Sequence, residues 1–387
     1  MLPPHGGTLI DRTVTAADRA AFLEVFQEGG SSSIEIDLDT VREIENIAHG
    51  LYSPLTGFLT HEELEHVLTH GRLPNDLPWT MPIIFPVDPG AVGVRDLKQL
   101  VGKKVFLTYG RNPVAVLEVV EAFKIHKLSL ARRLYGTEDP HHPGVTKTMA
   151  MGDWSLAGPI RLLAEVPGPF SNWRLHPAET RVLFQKKGWR TVVAFQTRNA
   201  PHLGHEYVQK TALTFVDGLL INPVLGKKKP GDFSDEAILA GYKVLLETYF
   251  LKENAVLAAL EYEMRYAGPK EAIHHAIMRK NLGCTHFVVG RDHAGVGKFY
   301  GPYDAQKYFD EFPDLGIVPL PFREFFYCKR CDAVTNSRVC PHGNEDHLDF
   351  SGTKIRELFL RRNGELEKMM RPEVVEAISA VGQAFVV

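Results

Sequence analysis

TVVAFQTRNAPHLGHE, running from Thr191 to Glu206, joins three kinds of local structure. Thr191 to Phe195 form a short apolar, partly β-branched run of the kind that makes a buried strand. Gln196 to Pro201 make a polar turn, and His202 opens a helical pattern carried on by Tyr207, Val208, Ala212 and Phe215. A strand that ends in a polar loop and feeds a helix N-terminus is a good anion site, because free backbone N–H groups and the helix dipole meet there. His202 and His205 add side-chain donors, and Gly204 lets the backbone come close.

Outward from this stretch the same alternation repeats. Upstream, a helix begins at Pro177 and runs to Lys187, closed by Gly188. Downstream come a strand from Leu219 to Leu225, the polar loop Gly226 to Asp232, a helix from Asp235 to about Leu251, a strand from Val256 to Leu260, a helix from Lys270 to Asn281, and a strand from His286 to Gly290. Strands alternating with helices predict an α/β fold with a doubly wound parallel sheet, whose ligands lie beyond the carboxyl ends of the strands. The polar loops after Phe195, Leu225, Leu260 and Val289 then open on one edge.

Residues 1–170 read as a separate β-rich domain, a small barrel or open sheet. A strand at Ile34, Ile36 and Leu38, a helix capped by Thr40, and strands at Met81–Val87, Lys104–Thr108 and Val114–Val120 are expected there. His141 and His142 lie beside Asp139, but Pro140, Pro143 and Gly144 favour a rigid structural or substrate-facing loop over a metal site. Residues 171–325 form the catalytic α/β domain, and residues 326–387 a small C-terminal domain with a Cys/His cluster and helices, the last from Pro372 to Phe385.

With 387 residues the chain has room for two or three domains, and its net charge of −3 gives no sign of a nucleic-acid partner. That favours a small-molecule enzyme. No apolar run is long enough to span a bilayer and the N-terminus lacks a signal-peptide pattern, so a cytoplasmic protein with no membrane partner is expected. Four cysteines do not make a disulfide framework in a chain of this length.

Three of them cluster in CKRCDAVTNSRVCPHGNEDH, residues 328–347. Cys328, Cys331 and Cys340 with one imidazole supply the ligand set of a closed structural Zn²⁺ site, against the plainer reading of reduced thiols left from an ancestral one. His347, on the freer chain, is named as the fourth ligand and His342, close to Cys340, as its alternative. Cys284 reads as a small core residue. The loop Gly290 to Lys298 is not a P-loop, because Asp292 stands where the first glycine belongs and Phe299 follows the lysine. It remains a glycine-rich turn able to offer N–H groups to an anion, with Arg291 beside it or in a surface ion pair. Ser351 caps a helix implied by Ile355, Leu358 and Phe359, which leaves Thr353 and Arg356 for a second phosphate contact.

His202-Leu203-Gly204-His205 fits the H-x-G-H pattern of the nucleotidylyltransferase superfamily, and Ser351 to Arg356 resembles that superfamily's second motif. With Gln196 to Asn199, Met264 to Pro269, Gly290 to Gly295 and Ser53 to Phe58, the chain over nearly its full length resembles the ATP sulfurylase (sulfate adenylyltransferase) family. Two departures stand out: Ala200 precedes Pro201 where proline is expected directly after QTRN, and Lys228-Lys229 replaces an expected Thr-Lys pair.

The resemblance implies a nucleotidylyltransferase-like sheet preceded by a barrel-like (PUA-like) domain. It implies transfer of AMP from MgATP to sulfate, giving adenosine 5′-phosphosulfate and pyrophosphate. Thr197, Arg198, Asn199, His202 and His205 are then the catalytic set. Gln196 and Arg198 hold sulfate with the Ala294 backbone, Thr197 and Asn199 orient the α-phosphate, and the two histidines serve the phosphates. Gly290, Arg291, Asp292 and His293 form the nucleotide-binding loop. Mg²⁺ arrives with ATP, and a homo-oligomer is expected. With Val387 the last residue, a monofunctional enzyme without a kinase domain is expected. The rival readings are an adenylyltransferase for another acceptor, from which Arg198 distinguishes the chain, and a silent nucleotide or sulfate sensor.

Overall fold

The computed structural model describes residues 1–361 and 364–387. The N-terminal strands are β1 (Ser33–Glu35), β2 (Gly57–Phe58), β3 (Pro86–Val87), β4 (Lys104–Tyr109), β5 (Asn112–Glu118), β6 (Glu121–Lys124) and β7 (Trp154–Leu162). They form a mixed sheet in the order β1-β4-β5-β7-β2, with β3 and β6 also pairing with β7. β7 is the hub, antiparallel to all four of its partners. Gly158 makes that possible: its φ is +142°, and a Cβ there would lie 2.0 Å from the Glu118 carbonyl oxygen. Opposite it, a Cβ on Gly57 would lie 1.9 Å from the Gly158 oxygen, so both crossing strands need glycine.

Some local expectations shift. The strand expected over Met81–Val87 pairs only at Pro86–Val87; Pro82, at its start, has no N–H for a ladder. The helix expected to be capped by Thr40 begins at Leu38; Asp37 is the cap, and its carboxylate accepts both the Thr40 N–H (2.8 Å) and hydroxyl (2.6 Å). A helix at Ala16–Gln27 has no buried residue and therefore no apolar stripe to announce it.

The second sheet contains β8 (Val192–Thr197), β9 (Gly218–Leu225), β10 (Ala255–Leu257), β11 (Leu260–Glu261), β12 (His286–Val289) and β13 (Val318–Pro321). Its order is β10-β9-β8-β12-β13, with β11 also on β9, and every pairing is parallel. All eight residues of β9 are buried, as expected for a sheet covered on both faces. The chain leaves β8 toward β9 on one side and returns to its other side with β12. The carboxyl end of β8 is therefore the topological switch point, where ligands bind in open α/β sheets.

A three-stranded antiparallel sheet follows, β14 (Phe325–Cys328), β15 (Ala333–Asn336) and β16 (His347–Asp349), in the order β15-β14-β16. The helices Gly352–Arg361 and Pro372–Ala380 complete the described chain. The last helix stops at Ala380, short of the expected Phe385. It lies against the helix Asp235–Tyr249, where a Cβ on Gly241 would come 3.2 Å from Ile378 Cδ1. Among the described residues no helix is long and apolar enough to cross a membrane.

Candidate active site

β8 is buried along its length until Gln196, and the chain then turns sharply. Thr197 closes the turn on itself: its hydroxyl donates to the Asn199 carbonyl (3.3 Å) and accepts the Asn199 N–H (3.1 Å). Gln196 has its amide nitrogen 3.9 Å from the Met264 sulfur and its amide oxygen buried without a partner. The Arg198 guanidinium donates to the Tyr266 hydroxyl through Nη1 and to the Lys227 carbonyl through Nη2 (2.7 Å). The arginine is thus held by the loops that follow β11 and β9.

The helix Leu203–Leu213 starts at this turn with His202 as its cap. His202 Nδ1 accepts the His205 N–H at 3.2 Å, doing with an imidazole what Ser or Asp usually does at this position. A neutral His202 therefore carries its proton on Nε2. The rings of His202 and His205 stack with centroids 3.6 Å apart, and the Tyr242 hydroxyl faces His205 Nδ1 at 3.1 Å. With the phenol donating, His205 also keeps Nε2–H free. Burial drives both imidazoles down, His202 well below its usual range and His205 to about 3, so both are neutral at pH 7.

The helix is tied to the C-terminal segment. The Leu203 N–H donates to the Met369 carbonyl at 2.8 Å, and Arg371 forks onto the buried Glu206 with contacts of 2.9 and 2.8 Å. Phe350, the residue after β16, stacks on His202 and brings Ser351 and Gly352 beside Asn199, whose Oδ1 would lie 3.6 Å from a Cβ on Gly352. Ser351 Oγ accepts the Lys354 N–H at 3.2 Å, as expected of a cap. Arg356, in contrast, pairs with Asp232 and Thr353.

Across the switch point, the loop after β12 supplies Gly290 to Ala294. Asp292 (φ 52°) and Ala294 (φ 55°) both hold left-handed backbone, a conformation costing roughly 1–2 kcal/mol for a residue with a side chain. Ala294 O accepts the Gly268 N–H at 3.0 Å. Arg291 is half exposed and pairs with Asp292 at 3.0 Å, so its charge is at the surface. His293 contacts the buried His275 at 3.0 Å. Gln196, Asn199, His202, His205, Arg291 and His293 line one cleft of about 280 Å³. Its far wall is Phe322 to Phe325, and neither that wall nor Phe350 was singled out by the sequence reading. Thr197 and Arg198, from the same turn, are not among the residues that line the cleft.

Of the Lys228-Lys229 pair in the loop after β9, Lys228 has its side chain buried against Asp235, and Lys229 is exposed. The lysine that replaces the expected threonine thus has a structural partner.

The Cys/His cluster forms at the end of β14. Cys328, Cys331, Cys340 and His342 bring their ligand atoms within 4.8 Å of one another. His342 Nδ1 lies 3.3, 3.2 and 3.7 Å from the three sulfurs, and Cys331 and Cys340 sulfurs are 3.8 Å apart. A tetrahedron with Zn–S near 2.3 Å and Zn–N near 2.0 Å has edges of about 3.5–3.8 Å, so the donor set is compatible with zinc. His342 takes the place first given to His347. The reason is register: His347 pairs with Cys328 in the β14–β16 ladder and its ring stacks on Phe326 at 3.6 Å. It reaches only Cys340, at 3.8 Å.

A family model described as ATP-sulfurylase matches residues 171–381, and one described as a PUA-like domain matches residues 2–165. A sulfate adenylyltransferase of Pyrococcus abyssi is 52% identical over 383 residues, covering 99% of both chains. That of Thermococcus onnurineus is also 52% identical over 383 residues with 99% of both covered. Among solved structures, the hexameric APS kinase from Thiobacillus denitrificans superposes with a TM-score of 0.73 at 23% identity, covering 98% of this chain and 68% of that one, which supports the fold. With β8, the stacked histidines and the returning Ser351 segment all inside the matched region, the chain belongs to the ATP-sulfurylase family.

Proposed function

We propose that this chain is a sulfate adenylyltransferase in which a sulfate oxygen attacks the α-phosphorus of MgATP. The bond to the sulfate oxygen forms as the bond from the α-phosphorus to the bridging oxygen of pyrophosphate breaks. The observation that carries the reading is the order of groups along one turn: a held guanidinium at Arg198 and two neutral imidazoles with free Nε2–H groups at His202 and His205.

Sulfate is already an anion and needs no general base, so catalysis rests on positioning and on stabilising charge. Arg198 is suited to the sulfate because its planar fork is oriented by Tyr266 and Lys227. Gln196 adds an amide whose buried end has no protein partner and which an anion satisfies once the NH₂ faces it. The Ala294 backbone completes the sulfate side. Asn199 lies on the α-phosphate side, and Thr197 shapes the turn that presents it. His202 and His205 donate to the phosphates, where charge grows on the leaving group. Mg²⁺ enters as part of MgATP.

Cys328, Cys331, Cys340 and His342 would hold a structural Zn²⁺, which cross-links the β14 hairpin to the loop before β16. The protein works in the cytoplasm as a homo-oligomer in this reading. The decisive assay is exchange of labelled pyrophosphate into ATP. Exchange that requires sulfate, and is lost in Arg198→Ala and His205→Ala, is the expected result. Exchange without sulfate in the wild type points to another acceptor, and none at all points to a sensor; either result retires the proposal.

A further inference from the structure

Beneath the loop after β12 lies a buried polar chain that the reaction above does not use. Glu271, fully buried, accepts hydrogen bonds from the Tyr262 hydroxyl (2.8 Å), the Arg265 N–H (2.9 Å) and the Ala267 N–H (3.0 Å). With three donors directed at it, this carboxyl group acts as an acceptor. His275, one turn further along the same helix and also fully buried, has Nε2 3.4 Å from Glu271 Oε1, a close electrostatic contact that falls outside hydrogen-bond geometry. Its Nδ1 is 3.0 Å from His293 Nε2.

Counting protons fixes the chain. An unprotonated His275 Nε2 would bring a lone pair within 3.4 Å of a carboxyl oxygen, so electrostatics favour the proton on Nε2 and leave Nδ1 as an acceptor. His293 must then donate through Nε2–H, and its Nδ1 becomes an acceptor. Burial depresses both imidazoles well below their usual range, which keeps each at one proton. His293 lines the cleft, and among the described residues its Nδ1 has no hydrogen bond.

We infer that His275 is a positioning residue that locks His293 as a hydrogen-bond acceptor, and that His293 therefore meets a donor on the nucleoside. This rests on the adenylyl-transfer reading. Sulfate, phosphates and pyrophosphate offer almost only acceptors at neutral pH, and an imidazole lone pair would repel them. The donors on ATP are the adenine amine and the ribose hydroxyls, so this histidine reads the nucleoside and not the reacting anions.

The test is equilibrium dialysis of ATP, inosine triphosphate, 2′-deoxyATP and 3′-deoxyATP with wild type, His275→Leu and His275→Gln. In wild type, one analogue lacking the contacted donor binds about tenfold more weakly than ATP. His275→Leu weakens ATP by a similar factor, leaves that analogue unchanged, and raises the KM for ATP with little effect on kcat. Glutamine, whose amide oxygen can accept from His293, restores ATP binding to within about threefold. Equal weakening of all four nucleotides overturns the inference. So does ¹⁵N NMR of histidine-labelled wild type, with His293→Asn to identify its signals, if His293 carries its proton on Nδ1 or on both nitrogens at neutral pH. That spectrum needs no substituted His275. Neither the dialysis nor the NMR spectrum uses sulfate, so a failure of sulfate-dependent exchange bears on the reaction alone.

Discussion

Phe350 lies flat on His202, ring centroids 5.3 Å apart and planes within 7°. The contact joins the two ends of the candidate site, since His202 opens the helix after β8 and Phe350 leaves β16. It also explains Gly204, where a Cβ would sit 2.7 Å from Phe350 Cδ2 and 3.1 Å from His202 Cε1. Phe350→Ala removes the plate from one side and Gly204→Ala pushes it away from the other. Both are expected to raise the KM for ATP by about three- to tenfold, the range of a lost aromatic contact. Steady-state kinetics decide it, and a normal KM in both variants would refute the role given to the stack.

Arg198 reaches two loops, through Tyr266 and the Lys227 carbonyl. Lysine keeps the charge but cannot bridge both partners while presenting a planar fork. Arg198→Lys is expected to raise the KM for sulfate by about 10- to 100-fold, the cost of losing a charge-assisted hydrogen bond. ATP binding without sulfate should be unchanged. If ATP binding falls instead, Arg198 serves the phosphates.

The neutral histidines give stability a definite pH dependence. His205 titrates at about 3 in the folded chain, against an ordinary value of 6.5. Between those values the unfolded chain binds a proton that the native chain does not, so stability rises with pH over this window. Acidification below 6.5 is therefore destabilising, and the loss continues toward 3. His5, driven by burial to about 4, acts in the same direction. The drop in Tm between pH 7 and pH 5 should be smaller in His205→Asn than in wild type. Equal drops would show that His205 is free to protonate in the folded protein.

The centre of the fold was legible because period and chemistry change together within Thr191–Glu206. An apolar run can only be a buried strand there, and the turn residues mark its end. β13 was harder to see, since Pro319 and Pro321 argue against a strand; it is tolerated as the partner of β12 at the sheet's end. Phe350, Met369 and Arg371 had no signal in their own neighbourhoods. They meet the His202 helix through a chain return of some 150 residues, and only the packing makes them neighbours. The choice between His342 and His347 turned on strand register. Pairing with Cys328 commits His347 to a ladder and a stacking contact, while His342 lies in the preceding loop and can turn toward the sulfurs.

The same ladder links the metal cluster to the cleft. β14 runs from Phe325, on the cleft wall, to Cys328, and β16 runs from His347 to the residue before Phe350. A Zn²⁺ on Cys328, Cys331, Cys340 and His342 would therefore fix where Phe350 stands against His202. Elemental analysis of protein purified without chelator should find about one zinc per chain. Removing it should lower the Tm, since metal-binding energy at such a site is folding energy. It should also raise the KM for ATP to the level of Phe350→Ala, because both changes disturb the same stack. Cys340→Ser should follow the stripped protein, and in a Phe350→Ala background stripping should add little to the KM. If the metal-free protein has a lower Tm but a normal KM, the hairpin is stabilised by zinc without positioning Phe350, and the link between cluster and cleft is wrong.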